Sequence, residues 1–310
     1  MQQTLSSEEI ARLSEQEYNA TISHVRRHNE ELAVVRIRPD FPVPSHRAGQ
    51  YTSVGAGYWE PRVPGCQPEE LLPGQLTKVV KRAYSISCPV LGDDGELLRE
   101  ADEDSLEFYI VLVRDAARRP PALTPRLFAM HKGSRLFISE KITGNYTLDR
   151  IKPDDAVILM ATGTGEAPHN KMVLELLRQG HRGVIASVVC VRYQNDLGYL
   201  DTHQKLAARV PNYRYITLTT REEQNVQNKL YIQDLVRSGQ LEERIGRPLD
   251  PAATHVFLCG NPKMIGVPKK EPDGRIVYPQ PTGVVELLEA RGFKVERPRE
   301  PGNIHFEEYW

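Results

Sequence analysis

The sequence predicts a β + α/β protein: an N-terminal antiparallel six-stranded β-barrel followed by an α/β domain built on a parallel sheet. Three observations carry this. Before residue 150, short strand patterns follow one another with almost no helix between them, as in a small antiparallel barrel. After Pro153, continuous apolar runs alternate with amphipathic helical segments, the pattern of a parallel sheet covered on both faces. The 310 residues, at about 150 per domain, accommodate two domains, each with its own core.

Residues 1–18 form an extension in which Ser6, three residues before Glu9, suggests a capping box for a short helix or a mobile arm. From Ala20, ATISHVRRHNEELAVVRIRP reads as two strands around a turn at 28–30, and strands follow at 50–54, 82–87, 106–113 and 135–140. One helical segment, 124–131, interrupts them. The stretch 58–74 carries Pro61, Pro64, Pro68 and Pro73; proline donates no ladder hydrogen bond, so this is an inserted surface loop. The first domain thus spans 19–151 and the second 152–310. In the second, strands at 156–160, 183–191, 213–219 and 254–259 alternate with helices at 168–179, 199–209, 231–238 and 283–290. The strand ending at Cys259 is expected to be the last, and 267–282, rich in proline and glycine, reads as a second insertion.

Composition narrows the function classes. Forty Lys and Arg stand against 41 Asp and Glu, so there is no basic excess to argue for nucleic acid. The longest apolar runs, 156–161 and 184–191, are far short of the ~20 residues that span a bilayer, and the N-terminus carries no apolar signal core, which predicts a cytoplasmic protein. Cys66, Cys88, Cys190 and Cys259 lie far apart, without metal-site spacing, and are expected to be reduced thiols.

Three local patterns could carry chemistry. Ala161-Thr162-Gly163-Thr164-Gly165-Glu166-Ala167-Pro168 lies between the first apolar strand and its helix. Its glycines let a pyrophosphate approach the backbone, and the helix start offers N–H groups to an anion. The spacing is not GxGxxG, and a tight turn binding nothing would need the same glycines. Cys259-Gly260-Asn261-Pro262 follows a strand at the carboxyl edge of the same sheet, where open α/β folds bind ligands. A buried cysteine is also an ordinary small hydrophobe. In the first half, Arg82-Ala83-Tyr84-Ser85-Ile86-Ser87 places Arg82, Tyr84 and Ile86 on one face of a strand and Ala83, Ser85 and Ser87 on the other.

RAYSIS, then ATGTGEAP, then CGNPKM, in that order across an antiparallel and then a parallel domain, resemble the ferredoxin–NADP reductase family. The resemblance covers roughly residues 20–310. GQYTSVG at 49–55, LTPRL at 123–127 and the terminal Tyr309-Trp310 are similar to its bacterial flavodoxin/ferredoxin–NADP reductase branch. It implies an FAD-binding barrel and a Rossmann-like NADP(H)-binding domain. Arg82 would neutralise the FAD pyrophosphate, Tyr84 would pack on the flavin beside Ala83, and Ser85 would hydrogen-bond near flavin N5. Thr124 would hold the FAD phosphates, Tyr309 would cover the other flavin face, and Trp310 would stack on the adenine. Thr162, Gly163, Thr164 and Gly165 would receive the nicotinamide nucleotide pyrophosphate, with Cys259 and Gly260 beside the nicotinamide. Ser85, Cys259 and Tyr309 would be the catalytic set. Arg192, Thr220, Arg221 and Lys229 would take the 2′-phosphate, favouring NADPH. Glu166 departs from the family, which is often apolar there, because a carboxylate beside a phosphate is unfavourable unless it points away or caps the helix.

The implied activity is FAD-dependent electron transfer between NADP(H) and a one-electron carrier, ferredoxin or flavodoxin, by a monomer. Arg114, Arg118, Arg119, Arg126, Lys132 and Arg135 make 114–135 locally basic, which suits an acidic carrier. The alternatives are an NADH-dependent reductase of the cytochrome b5 reductase type, which should lack the charges at Arg192 and Arg221, and a module that senses nucleotide without catalysis.

Overall fold

The computed structural model describes residues 5–100, 103–297 and 299–309. These form two compact units that divide between Asn145 and Tyr146.

The first unit opens with helix α1 (Ser7–Glu17), set by the capping box: Ser6 Oγ accepts from Glu9 N at 3.2 Å and Glu9 Oε2 accepts from Ser6 N at 2.8 Å. Of the two forms the sequence left open for these residues, the helix is the one adopted. Six strands follow: β1 (Ala20–Asn29), β2 (Leu32–Pro39), β3 (Tyr51–Gly57), β4 (Val79–Ser85), β5 (Leu106–Val111) and β6 (Arg135–Ile138). Their antiparallel order is β4-β3-β6-β1-β2-β5. The outermost two meet where Ser87, just past β4, bridges Glu107 of β5 through a 2.8 Å backbone bond, which closes the sheet into a barrel. Alternate residues point inward, and Ile22, Ile37, Val54, Phe108, Leu136 and Ile138 fill the interior.

Helix α2 (Thr124–Leu127) carries Arg126, which is only 2% exposed. Its guanidinium donates to Tyr58 O at 3.0 Å, Ala122 O at 2.6 Å and Glu69 Oε2 at 2.7 Å, pinning the proline-rich loop. This removes Arg126 from the basic face expected at 114–135. Arg126 is interior, Arg114 is engaged by Glu31 at 3.1 Å, and Arg135 by Asp40 at 2.5 Å. Arg118, Arg119 and Lys132 remain exposed.

The second unit runs β7 (Ala156–Thr162), α3 (Glu166–Arg178), β8 (Ile185–Val191), α4 (Leu200–Arg209), β9 (Tyr213–Thr219), α5 (Ile232–Ser238), α6 (Gln240–Ile245), β10 (Thr254–Gly260) and α7 (Pro262–Ile265). A small antiparallel hairpin, β11 (Lys269–Lys270) and β12 (Ile276–Val277), helix α8 (Val284–Glu289) and β13 (Ile304–Glu308) complete it. The sheet order is β13-β10-β7-β8-β9, parallel throughout. β10 is therefore not the last strand. β13 pairs beside it from Val256↔Ile304 to Gly260↔Glu308 and occupies the sheet edge. Every side chain of β7 from Ala156 to Ala161 is buried, as a central parallel strand with both faces covered requires. The carboxyl ends of β7 and β10 lie side by side at the point where strand order reverses, the usual ligand crevice of this topology.

None of the four cysteines forms a disulfide. Among the described residues no helix is long and apolar enough to cross a membrane.

Candidate dinucleotide site

β7 ends at Thr162, and the chain then makes a single 3₁₀ turn, Gly163–Gly165, before entering α3. Gly163 has a φ of +52°, and among the described residues nothing stands within 4 Å of where its Cβ would be, so the backbone there is uncovered by them. Half-buried Thr164 lies in the same turn. Gly165 faces the other way: a Cβ would lie 2.4 Å from the Cys259 carbonyl oxygen. Gly260 is its counterpart, with a φ of +121° and a virtual Cβ 2.3 Å from Thr162 Oγ1. The same Thr162 hydroxyl accepts from Asn261 N at 2.8 Å. Two chain segments about 100 residues apart are locked backbone to backbone by what these glycines omit.

The end of β13 joins this junction. Tyr309 N donates to Gly260 O at 3.0 Å, and the Tyr309 hydroxyl hydrogen-bonds the Cys259 thiol. Cys259 is fully buried, and burial pushes its thiol well up, with the neighbouring negative charge of Glu307 adding to the effect. It is thus a protonated thiol, not a thiolate nucleophile. Glu307 lies in register with Cys259 across the β10–β13 pair. Only the last parallel strand, which the strand pattern did not announce, brings Glu307 here. Trp310 lies outside the described residues.

Glu166 turns inward. Tyr215 Oη donates to Glu166 Oε1 at 2.8 Å, and Oε2, fully covered, has no hydrogen-bond partner among the described residues. Burial pushes the carboxyl up to about 7, against the opposing effect of the Tyr215 hydrogen bond. His203 stacks on Tyr215 with ring centroids 4.6 Å apart, and its Nε2 lies 2.9 Å from Asn170 Oδ1 and 3.5 Å from Glu166 Oε1. Tyr213 Oη lies 2.8 Å from His203 Nδ1 and 3.0 Å from Ser187 Oγ. Immediately after Pro168, His169 Nε2 meets Tyr146 Oη at 2.8 Å. Burial pushes both imidazoles down to about 3, so both are neutral near pH 7.

Arg192 and Thr220 each follow a strand, β8 and β9, at the same carboxyl edge. Thr220 N and Oγ1 both donate to Val191 O, at 3.1 and 3.2 Å, and Arg221 N donates to Arg192 O at 2.8 Å. The backbones of Arg192 and Arg221 are therefore held together, and both side chains are exposed. Lys229 stands in the exposed segment before α5, with no hydrogen bond to either arginine among the described residues. Tyr231, 44% exposed two residues later, is an aromatic surface the sequence reading passed over.

In the first unit Arg82 and Ala83 are exposed, Tyr84 is half-buried with its ring edge-on to Phe108 at 6.3 Å, and Ser85 is buried. The simple two-face alternation expected for 82–87 fails here: Arg82 and Ala83 are exposed in succession, and Ser85, Ile86 and Ser87 are buried in succession where the strand leaves its ladder toward Glu107. Arg82 Nη1 donates to Lys81 O at 2.8 Å, and Thr124 Oγ1 accepts from Val113 N at 3.0 Å.

A closed antiparallel barrel followed by a parallel sheet with a glycine turn at its central strand defines a class, the two-unit flavin- and nicotinamide-nucleotide oxidoreductase fold. A family profile described as "Oxidoreductase NAD-binding domain" matches residues 159–270. The chain is 32% identical over 202 residues to the flavodoxin/ferredoxin–NADP reductases of Shigella flexneri and Escherichia coli, covering 62% of this chain and 75% of theirs. A ferredoxin NADP+ reductase from Neisseria gonorrhoeae with bound FAD and NADP superimposes with a TM-score of 0.68 at 20% identity, over 94% of this chain and 97% of that one. The chain belongs to the flavodoxin/ferredoxin–NADP reductase family.

Proposed function

We propose that this protein is a cytoplasmic, monomeric FAD-dependent reductase that exchanges a hydride with NADP(H) and passes single electrons to or from ferredoxin or flavodoxin. The observation that carries the reading is the junction of Thr162, Gly165, Cys259 and Gly260 beside an open Gly163 backbone. Gly163, Thr164 and the start of α3 fit a pyrophosphate, because the backbone there is uncovered and the helix start supplies N–H groups. Arg192 and Arg221, paired through their backbones, fit a 2′-phosphate and favour NADPH over NADH, with Thr220 between them in sequence and Lys229 as a further charge. On β4, the exposed Arg82 guanidinium fits the FAD pyrophosphate, and the Tyr84 ring, with Ala83 and Ser85 in the same strand, fits an aromatic heterocycle; Thr124 adds a hydroxyl at α2.

When bound, the flavin supplies the chemistry, accepting two electrons and releasing them one at a time. The chain's own residues align and gate. Cys259 is covered, so Tyr309 must give up its hydrogen bond to the thiol before a nicotinamide can lie against it. Cys259 then offers a neutral, apolar contact, which suits a planar ring whose charge changes on hydride transfer.

The test compares steady-state reduction by NADPH and NADH in wild type and in Arg192→Ala. A charge-assisted hydrogen bond contributes about 1.5–3 kcal/mol, so KM for NADPH is expected to rise roughly 10- to 150-fold while KM for NADH stays within about twofold. Equal preference for the two nucleotides in wild type, or no effect of Arg192→Ala, refutes the NADP(H) assignment.

A further inference from the structure

Resting on the reading that the 163–165 turn receives a dinucleotide pyrophosphate, we propose that Glu166 is a further affinity-determining residue, and that its buried carboxyl takes up a proton when the pyrophosphate binds. Glu166 is the first residue of α3, directly after the turn, and is 1% exposed. Its side chain reaches toward β9 and α4. One carboxyl oxygen has Tyr215 as donor, and the other is enclosed without a hydrogen-bond partner among the described residues. Among the described residues no cation is found to act on it. The groups facing it are Tyr215 and Tyr213 from β9, His203 from α4, Asn170 from its own helix and Ser187 from β8, and both imidazoles of the cluster, His203 and His169, are held neutral by burial.

The α3 N-terminus is one positive pole, and it cannot satisfy two anions equally. A carboxylate one residue inside the helix and a pyrophosphate at its mouth repel each other through protein rather than through water, where the interaction is weakly screened. The conflict is relieved by protonating Glu166. Its free-protein value near neutrality makes that proton available at low cost, and binding raises it further. The sign follows: the protonated form binds more tightly, so affinity weakens as pH rises through neutrality and levels off once the carboxyl is ionised in both free and bound protein. The expected size is about tenfold in Kd for each unit by which binding raises the carboxyl pKa.

The experiment is calorimetric titration of the FAD-loaded protein with NADP+ from pH 6 to 8.5, in buffers of different ionisation enthalpy, for wild type and Glu166→Gln. The 2′-phosphate's own titration is common to both proteins and cancels in the comparison. Wild type is expected to weaken about tenfold more than Glu166→Gln across this range and to take up protons on binding that the variant does not. Parallel pH profiles with equal proton uptake overturn the inference while leaving the functional reading intact. Wild type that binds no NADP+ at any pH sinks both. Should Glu166→Gln fail to fold, Tyr215→Phe serves instead. It removes the hydrogen bond that favours the charged carboxyl, so the midpoint of the profile is expected to move to higher pH, and an unmoved midpoint overturns the proposal.

Discussion

Replacing Gly165 with alanine tests the backbone junction because two effects of opposite sign compete there. Gly165 has φ −59° and ψ −13°, ordinary helical values. By local conformation alone, Gly→Ala should therefore stabilise by about 0.4–1 kcal/mol through the unfolded chain. The structure reverses the sign. The new Cβ would lie 2.4 Å from Cys259 O, 2.7 Å from Cys259 C and 3.1 Å from Gly260 N. All three atoms are backbone, so no flexible side chain can yield, and the turn or the β10 end must move by about 1 Å. Overpacking of this kind costs about 1–3 kcal/mol. The net expectation is a loss of roughly 1–2 kcal/mol, or about 2–8 °C in Tm for a unit of this size. Differential scanning fluorimetry and urea unfolding read the stability, and the NADP+ titration reads the site, where displacement of the turn should weaken binding. An alanine variant with a raised Tm and unchanged affinity would refute the claim that these two loops touch backbone to backbone.

Two further outcomes follow from buried polar groups. Arg126→Met removes the close partner of an interior ion pair and leaves Glu69 only Arg62, 4.0 Å away; a loss of about 3 kcal/mol is expected in urea unfolding, whereas Arg118→Ala, on an exposed residue, should fall within about 0.5 kcal/mol. His169→Phe strands the Tyr146 hydroxyl and should cost about 1–3 kcal/mol at pH 7. The wild-type imidazole, pushed down to about 3, contributes stability that is fully present above its unfolded value of 6.5 and is lost as pH falls, at about 1.4 kcal/mol per pH unit. The two stability curves should therefore converge near pH 5, and curves that stay parallel from pH 7 to pH 5 would show that His169 is not a buried neutral imidazole.

Most of the fold was legible because its elements are regular and half or fully buried. The apolar run of β7 and the amphipathic pattern of α3 announce themselves. β13 did not. Its Ile304-His305-Phe306-Glu307-Glu308 mixes charge with apolar residues because it is an edge strand, and its two glutamates resemble a solvated tail. α6 and α7, of six and four residues, are too short for a helical period to register. In the site, the glycine turn could be read from spacing, but the reciprocal packing of Gly165 on Cys259 and of Gly260 on Thr162 could not, since it depends on strand order. Glu166 was visible as an anomaly only. Its direction is set by Tyr215 and His203, which arrive from elements far along the chain. Arg126 misled for the same reason: nothing local distinguishes a surface arginine from one that a distant Glu69 draws inside.

The position of β7 in the middle of its sheet has a consequence during synthesis. It is the first strand of the second unit to leave the ribosome, and β8 can pair with one side of it soon afterwards. Its other side belongs to β10, which begins only at Thr254. Until then the nascent chain carries a strand apolar from Ala156 to Ala161 with one row of backbone donors and acceptors unmet, a template for pairing with another chain. Aggregation during overexpression should accordingly be traced to Ala156–Thr162 and relieved by slower translation or by holdase chaperones, before any surface residue is redesigned.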